Sequence, residues 1–321
     1  MENRMNAAAA GAWLRAMTRS LVLLLCAPAA MADVRVLVVS GLGGEPRYER
    51  DFAAQAERIA AAAQTATGDP AKVVLLSGAS AQREAVRKAL NAMATTLTRA
   101  DQAIVVLIGH GTFDGEDYRF NLPGPDLTGN ELGQLFDALP AGEQLIVNAT
   151  SASGAVIARW ERPRRVLVTA TRSGGERNAT RFAQYWLEGL TSTAADRDKN
   201  EELTAAETFE FASRKVADSF KTDVALATEH AQLRGSDAER LVVARLGTQA
   251  RLVANPEVRG LLQQQVGMDR QLEALKARKA TLSTEAYYDE LERLLIEVAR
   301  LDQRIDAKLA ATGRGSNESR P

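Results

Sequence analysis

The chain reads as an α/β protein, with a mainly parallel sheet flanked by helices, then a helix-loop-helix, then a C-terminal helical hairpin. Three observations predict this. From Val34 to about Ala170, short β-branched runs alternate with amphipathic stretches, the pattern of a parallel sheet covered on both faces. Residues 178–220 place an acidic segment between two stretches of helical spacing, and beyond Pro256 the composition shifts to dense Leu, Glu, Arg and Gln.

Residues 1–32 have the pattern of an export signal. Arg15 and Arg19 precede an apolar run from Leu21 to Pro28, and Ala30-Met31-Ala32 forms a small-residue cleavage site. The run is too short to span a bilayer, so the expectation is a periplasmic or secreted protein with no stable membrane span after cleavage. The competing reading is a lipid anchor on Cys26, but Leu25 stands where such signals carry a small residue. Cys26 is the one cysteine of the sequence. A cleaved chain therefore has no thiol for a disulfide, a cysteine-zinc site or a cysteine nucleophile.

The β-branched runs predict strands over Val34–Val39, Val73–Leu76, Ile104–Ile108, Leu145–Val147 and Val166–Val168. Helical spacing occupies Arg50–Ala63 and Ala81–Leu97, and Thr128 caps a shorter helix that runs to Leu139. Asn178–Leu190 and Ala205 to about Phe220 are the next helices. Together residues 33–250 make one domain, and 45% hydrophobic content supports a sizeable core. With 40 basic and 41 acidic residues and no basic run, nothing favours a nucleic-acid partner.

Two motifs fall at strand ends, where open α/β sheets place their ligands. Gly109-His110-Gly111 follows the third strand, and Asn148-Ala149-Thr150-Ser151-Ala152-Ser153-Gly154 follows the fourth. A hydroxyl nucleophile needs a base within hydrogen-bond reach and backbone donors for the developing oxyanion. Imidazole titrates nearest neutral pH, so His110 is the candidate base and Ser151 the candidate nucleophile. Gly111, Ser153 and Gly154 are candidates for binding the substrate and oxyanion. Plainer readings are a tight strand exit at Gly109 and Gly111, and helix capping by Thr150 or Ser153.

This arrangement resembles the legumain-like, caspase-fold peptidases. In that family a histidine followed by glycine ends one strand, and Cys-x-Ser-Gly ends the next about forty residues later. Here His110 and Ser151 are 41 residues apart, and Ser151-Ala152-Ser153-Gly154 matches at all but the first position. The resemblance spans roughly Val34 to Leu233 and implies a caspase-like sheet with serine in place of the nucleophilic cysteine. It also departs from the family. The stretch Ser40-Gly41-Leu42-Gly43-Gly44 lacks the orienting asparagine, and Ala149 and Thr150 stand near the position of the family's pocket acid.

Asp196-Arg197-Asp198-Lys199-Asn200-Glu201-Glu202-Leu203-Thr204-Ala205-Ala206-Glu207 resembles an EF-hand loop. Asp196, Asp198, Asn200, Thr204 and Glu207 supply oxygen side chains at the ligand positions, and Glu202 supplies a carbonyl. The expected ion is calcium, in a structural role. Glu201 departs from the glycine such a loop uses, at a cost of about 1 kcal/mol or more for positive φ. The plainer reading has Asp196 and Asp198 capping the turn and Thr204 capping the following helix.

In the C-terminal segment, Tyr287, Leu291, Leu294, Val298, Leu301 and Ile305 follow at spacings of 4, 3, 4, 3 and 4, a heptad seam. Leu261, Met268, Leu272, Leu275 and Leu282 make a less regular one, and Ser283 marks the turn. Residues 256–310 are thus a helical hairpin or coiled coil, through which a protein partner or a second copy would bind, and 311–321 a disordered tail. Three functions fit this plan. They are an exported pseudopeptidase used for binding or scaffolding, a serine-dependent hydrolase using Ser151 and His110, and a calcium-stabilised structural subunit.

Overall fold

A computed structural model describes residues 33–315. The export-signal pattern, Cys26 and positions 316–321 lie outside the described residues. The chain begins with β1 (Val34–Ser40), then α1 (Pro46–Thr67), β2 (Val73–Leu76), α2 (Arg83–Thr96) and β3 (Gln102–Gly109). A small meander follows, β4 (Gly111–Phe113), β5 (Tyr118–Phe120) and β6 (Leu127–Thr128), leading into α3 (Gly129–Asp137). Then come β7 (Glu143–Thr150), the short α4 (Ile157–Trp160), β8 (Arg165–Thr169) and α5 (Phe182–Thr191). The remainder is β9 (Glu202–Thr204), α6 (Ala205–Thr222), β10 (Gln232–Arg234), β11 (Val242–Arg245), α7 (Gly247–Ala254), α8 (Pro256–Ala277) and α9 (Thr284–Gly315).

The central sheet has the order β10-β8-β7-β3-β1-β2, parallel throughout except for β10, which runs antiparallel to β8. Alternation along each strand divides the core. Val36, Val38, Val106, Val147 and Val168 pack with α1, α5 and α6 on one face. Leu37, Val39, Val105, Ile146 and Leu167 pack with α2, α3 and Trp160 on the other. Both faces are covered, which is why the strands read as continuous apolar runs.

Local signals explain the boundaries. The first helix starts earlier and ends later than Arg50–Ala63 because Pro46 occupies its first turn and Gly68, at φ 64°, closes it. Thr128 and Glu131 form a reciprocal capping box at the start of α3. The helix expected from Asn178 begins only at Phe182, since the Thr180 hydroxyl donates to the Ala149 carbonyl and the Arg181 amide to Glu229.

At the C-terminus, Asn255 caps α8 through the amides of Glu257 and Val258. The α8–α9 hairpin is sealed by two apolar clusters, Leu261 with Leu301 and Ile305, and Leu275 with Tyr287 and Leu294. The heptad seam is therefore turned inward on its own hairpin. The Arg259 guanidinium donates to the Gly68 carbonyl at the end of α1. Helix α9 continues through Gly315, so 311–315 are helical where the polar composition predicts disorder. Adding a residue to an existing helix costs far less than starting one. Among the described residues no helix is long and apolar enough to cross a membrane.

Candidate functional site

The sheet order reverses at β1 and β3, and the carboxyl ends of the strands there form the natural crevice of such a sheet. Because β3 and β7 are adjacent and Gly109 lies opposite Thr150, the residues just beyond, His110 and Ser151, come together. His110 Nδ1 is 3.4 Å from Ser151 Oγ, at the long edge of a hydrogen bond. Tyr48 and Phe52, one turn apart on α1, each meet the imidazole edge-on with centroids 5.2 Å away. Burial among them lowers the His110 pKa, opposed by a hydrogen bond to the Gly43 backbone and by the charge of Glu45. Burial thus favours the neutral ring, whose Nδ1 lies toward the serine.

Gly43 occupies the stretch that lacks the expected asparagine. Its amide donates to Glu49 Oε2 at 2.7 Å, and a Cβ on it would lie 2.3 Å from the Glu49 amide. Only glycine lets the β1 exit press this closely on α1 and present its backbone to His110. Sequence reading missed Tyr48, Glu49 and Phe52. The available signal was a glycine run at the end of β1 followed by an i, i+4 aromatic pair.

Ser151 is 1% exposed. Behind it, Tyr118 Oη lies 2.7 Å from Thr150 Oγ1, which donates to Asn148 Oδ1 at 2.8 Å. Burial pushes the Tyr118 phenol up to about 12, against the lowering effect of Thr150 and Asn148. After it, Ala152 adopts φ 55°, and its amide donates to the Glu176 carbonyl at 2.7 Å. A buried alanine in the left-handed region is strained.

The other expected site residues have different work. A Cβ at Gly111 would meet the Ser151 carbonyl at 2.4 Å and the Tyr118 ring at 2.5 Å, so this glycine permits close approach of β4. Ser153 is buried, accepting from the Thr171 amide at 3.1 Å with its Oγ 3.2 Å from Thr171 Oγ1. The Gly154 amide donates to Thr171 Oγ1 at 2.8 Å. These two residues tie the β7 exit to the β8 exit, and the Gly154 amide is committed to Thr171, not turned to an oxyanion. Neither Thr150 nor Ser153 caps the following 3-10 turn, because their hydroxyls are already engaged.

His230, for which the sequence offered no motif, joins this region from the loop that leads into β10. Its Nδ1 is 2.5 Å from Glu176 Oε1. Beside it Glu229 is buried, accepts from the Arg181 amide at 2.8 Å through Oε2, and has no partner for Oε1 among the described residues. Burial raises its pKa to about 7, against the lowering effect of the Arg181 and Phe182 amides and the Arg181 charge.

No family model matches the chain and no curated protein matches it. Among solved structures, protein GSU0716 from Geobacter sulfurreducens aligns with a TM-score of 0.43 and 14% identity, over 63% of this chain and 92% of that one.

The acidic loop forms a second cluster. One oxygen from each of Asp196, Asp198 and Glu207 lies within 4.8 Å of the others, a hard-donor set suited to an ion such as calcium. Asp196 accepts from the amides of Asn200 and Glu201 at 3.2 and 3.0 Å. Glu207 accepts from the Arg197 amide and from Thr204, which in turn caps α6. Burial pushes the Glu207 carboxyl up, but these hydrogen bonds and the Arg197 charge hold it below its usual value. Asn200 Oδ1 is taken by the Glu202 amide at 2.7 Å, and the Glu202 side chain pairs with Arg245 at 2.9 Å. The turn-capping and helix-capping hydrogen bonds of the plainer reading are thus formed. Glu201 does take the left-handed conformation, at φ 62°. Its carboxylate accepts from the amides of Thr248 and Gln249 at 2.7 and 3.1 Å, at the start of α7. That capping offsets the backbone cost.

Proposed function

We propose that this chain is an exported, legumain-like protein with a caspase-like sheet that no longer cleaves peptides and serves as a binding or scaffolding protein. The carrying observation is the state of Ser151. It is 1% exposed and stands 3.4 Å from its base, and the Gly154 amide that could help hold an oxyanion is bonded to Thr171. Attack on a carbonyl needs an accessible nucleophile and free donors together. In this reading the hairpin is the element of association.

The test is a fluorophosphonate probe applied to the purified protein and to Ser151→Ala and His110→Ala, alongside peptide turnover. No labelling and no turnover are expected. Labelling of the wild type that both variants lose would replace this reading with the serine-dependent hydrolase. That second reading is favoured by the orientation of Nδ1 and by the neutral imidazole, which can accept the serine proton. Ser151 Oγ would attack, and backbone amides near Gly111 and Ser151 would hold the oxyanion.

The EF-hand-like loop is assigned a structural calcium ion, held by Asp196, Asp198 and Glu207, which would fix the junction of α5 and α6. A chain whose only role is structural would depend on that ion and show no ligand at the Ser151 end. Melting with calcium and with chelator reads the assignment. An unchanged Tm, in the wild type as in Asp196→Ala, would remove it.

A further inference from the structure

Seven large apolar side chains are exposed among the described residues, and three of them, Tyr288, Leu295 and Ile296, fall on one stretch of α9. They are 54%, 48% and 43% exposed and lie outside the seam that faces α8. Tyr288, Glu292, Ile296, Arg300 and Arg304 recur every four residues, so they form a single i±4 ridge along the helix.

The ridge is self-complementary. From its centre at Ile296, four residues toward the N-terminus is Glu292 and four toward the C-terminus is Arg300. Eight residues out are Tyr288 and Arg304. Glu285, Asp289, Glu292, Arg300 and Arg304 are exposed and take part in no ion pair among the described residues. Of the exposed acids of α9 in no ion pair, Glu285, Asp289 and Glu292 precede Ile296 and Asp306 alone follows it, while the exposed bases in no ion pair, Arg300 and Arg304, both follow it. A parallel pairing would set Glu292 against Glu292 and Arg300 against Arg300, whereas an antiparallel pairing about Ile296 sets Glu292 against Arg300.

We infer that α9 is a self-association arm, on which two copies of this chain pair antiparallel about a twofold axis at Ile296. Glu292 faces Arg300 of the second copy, Tyr288 lies under the guanidinium of its Arg304, and the two Ile296 side chains meet on the axis. A twofold interface of this kind uses the same patch on both partners, and an arginine over a tyrosine face adds a cation-π contact. The inference narrows the association role given to the hairpin above to a second copy of the chain. It does not depend on the chemistry at Ser151, which the fluorophosphonate probe judges separately.

Light scattering on the full chain after size exclusion is expected to give a dimer, and Ile296→Glu a monomer with an unchanged far-UV circular dichroism spectrum. Glu292→Arg and Arg300→Glu are each expected to weaken the dimer about tenfold or more by setting like charges together. The double charge swap restores it. In a Cys26→Ser background, Ile296→Cys is expected to cross-link to itself on oxidation. Tyr288→Cys is expected not to do so unless Arg304→Cys is added. A wild-type monomer, a dimer indifferent to Ile296→Glu, or efficient self-cross-linking of Tyr288→Cys would each overturn the inference.

Discussion

The Ser151 loop and the Asp196–Glu207 loop solve one backbone problem in opposite ways. Each forces residues other than glycine into the left-handed region, Ala152 at φ 55° in the first and Lys199 at φ 60° and Glu201 at φ 62° in the second. Ala152 is buried and held by its own amide and by the close packing around Gly154. Glu201 is held by its side chain, which caps a separate helix. The first loop is closed by neutral hydrogen bonds and sterics, the second by carboxylates on amides. The first should therefore respond to volume, and the second to charge, pH and cations.

The largest effects are expected in the first loop. Gly154→Ala would drive a Cβ to 2.1 Å from the Ser173 amide, and overpacking of this kind costs about 3 kcal/mol. A lowered urea midpoint with unchanged slope would register it. A midpoint equal to wild type would show the loop to be as compliant as the acidic one.

Glu229 brings charge into the same region and blurs the contrast in a measurable way. Its pKa is raised by burial to about 7, so the folded state holds a proton that the unfolded state has released above the ordinary carboxylate range. Its contribution to stability is complete at pH 4 and is lost as pH rises toward 7. The contribution is at most about 3 kcal/mol by the usual conversion. Glu229→Gln should be more stable than wild type at pH 8 and nearly equal at pH 4, as read by chemical denaturation at the two values.

Smaller effects belong to the second loop. Glu201→Ala removes both amide contacts to α7 while leaving the positive φ, and should cost about 1 to 2 kcal/mol. Glu201→Gly should cost less, because the backbone penalty goes with the side chain. If both variants melt together, the cap is not what holds this loop. Smallest is the effect of added calcium, expected to raise Tm by a few degrees in wild type and not in Asp196→Ala.

The sequence revealed what is local and concealed what is assembled. Val36, Val106 and Val147 sit in runs whose composition alone marks a two-faced sheet, and the acidic loop carries its candidate ligands within twelve positions. The pairing of His110 with Ser151 was legible because both motifs end strands, and the sheet order then brings them together. Gly43, Tyr48 and Phe52 reach His110 through a backbone group and through helix packing, which leave no periodicity to read. Strands β4, β5 and β6 are two or three residues long, shorter than any alternation can show. Ser153 and Gly154 were read as parts of a reacting site because their motif is, yet their hydrogen bonds run to Thr171, a partner set by the next strand.

Glu201 couples its own turn to a neighbouring helix. A change to glycine would suit the turn, yet it would also strip the start of α7 of its acceptor, one helix away from the hairpin. One side chain thus serves two parts of the molecule. A substitution there therefore changes the turn and the start of α7 together.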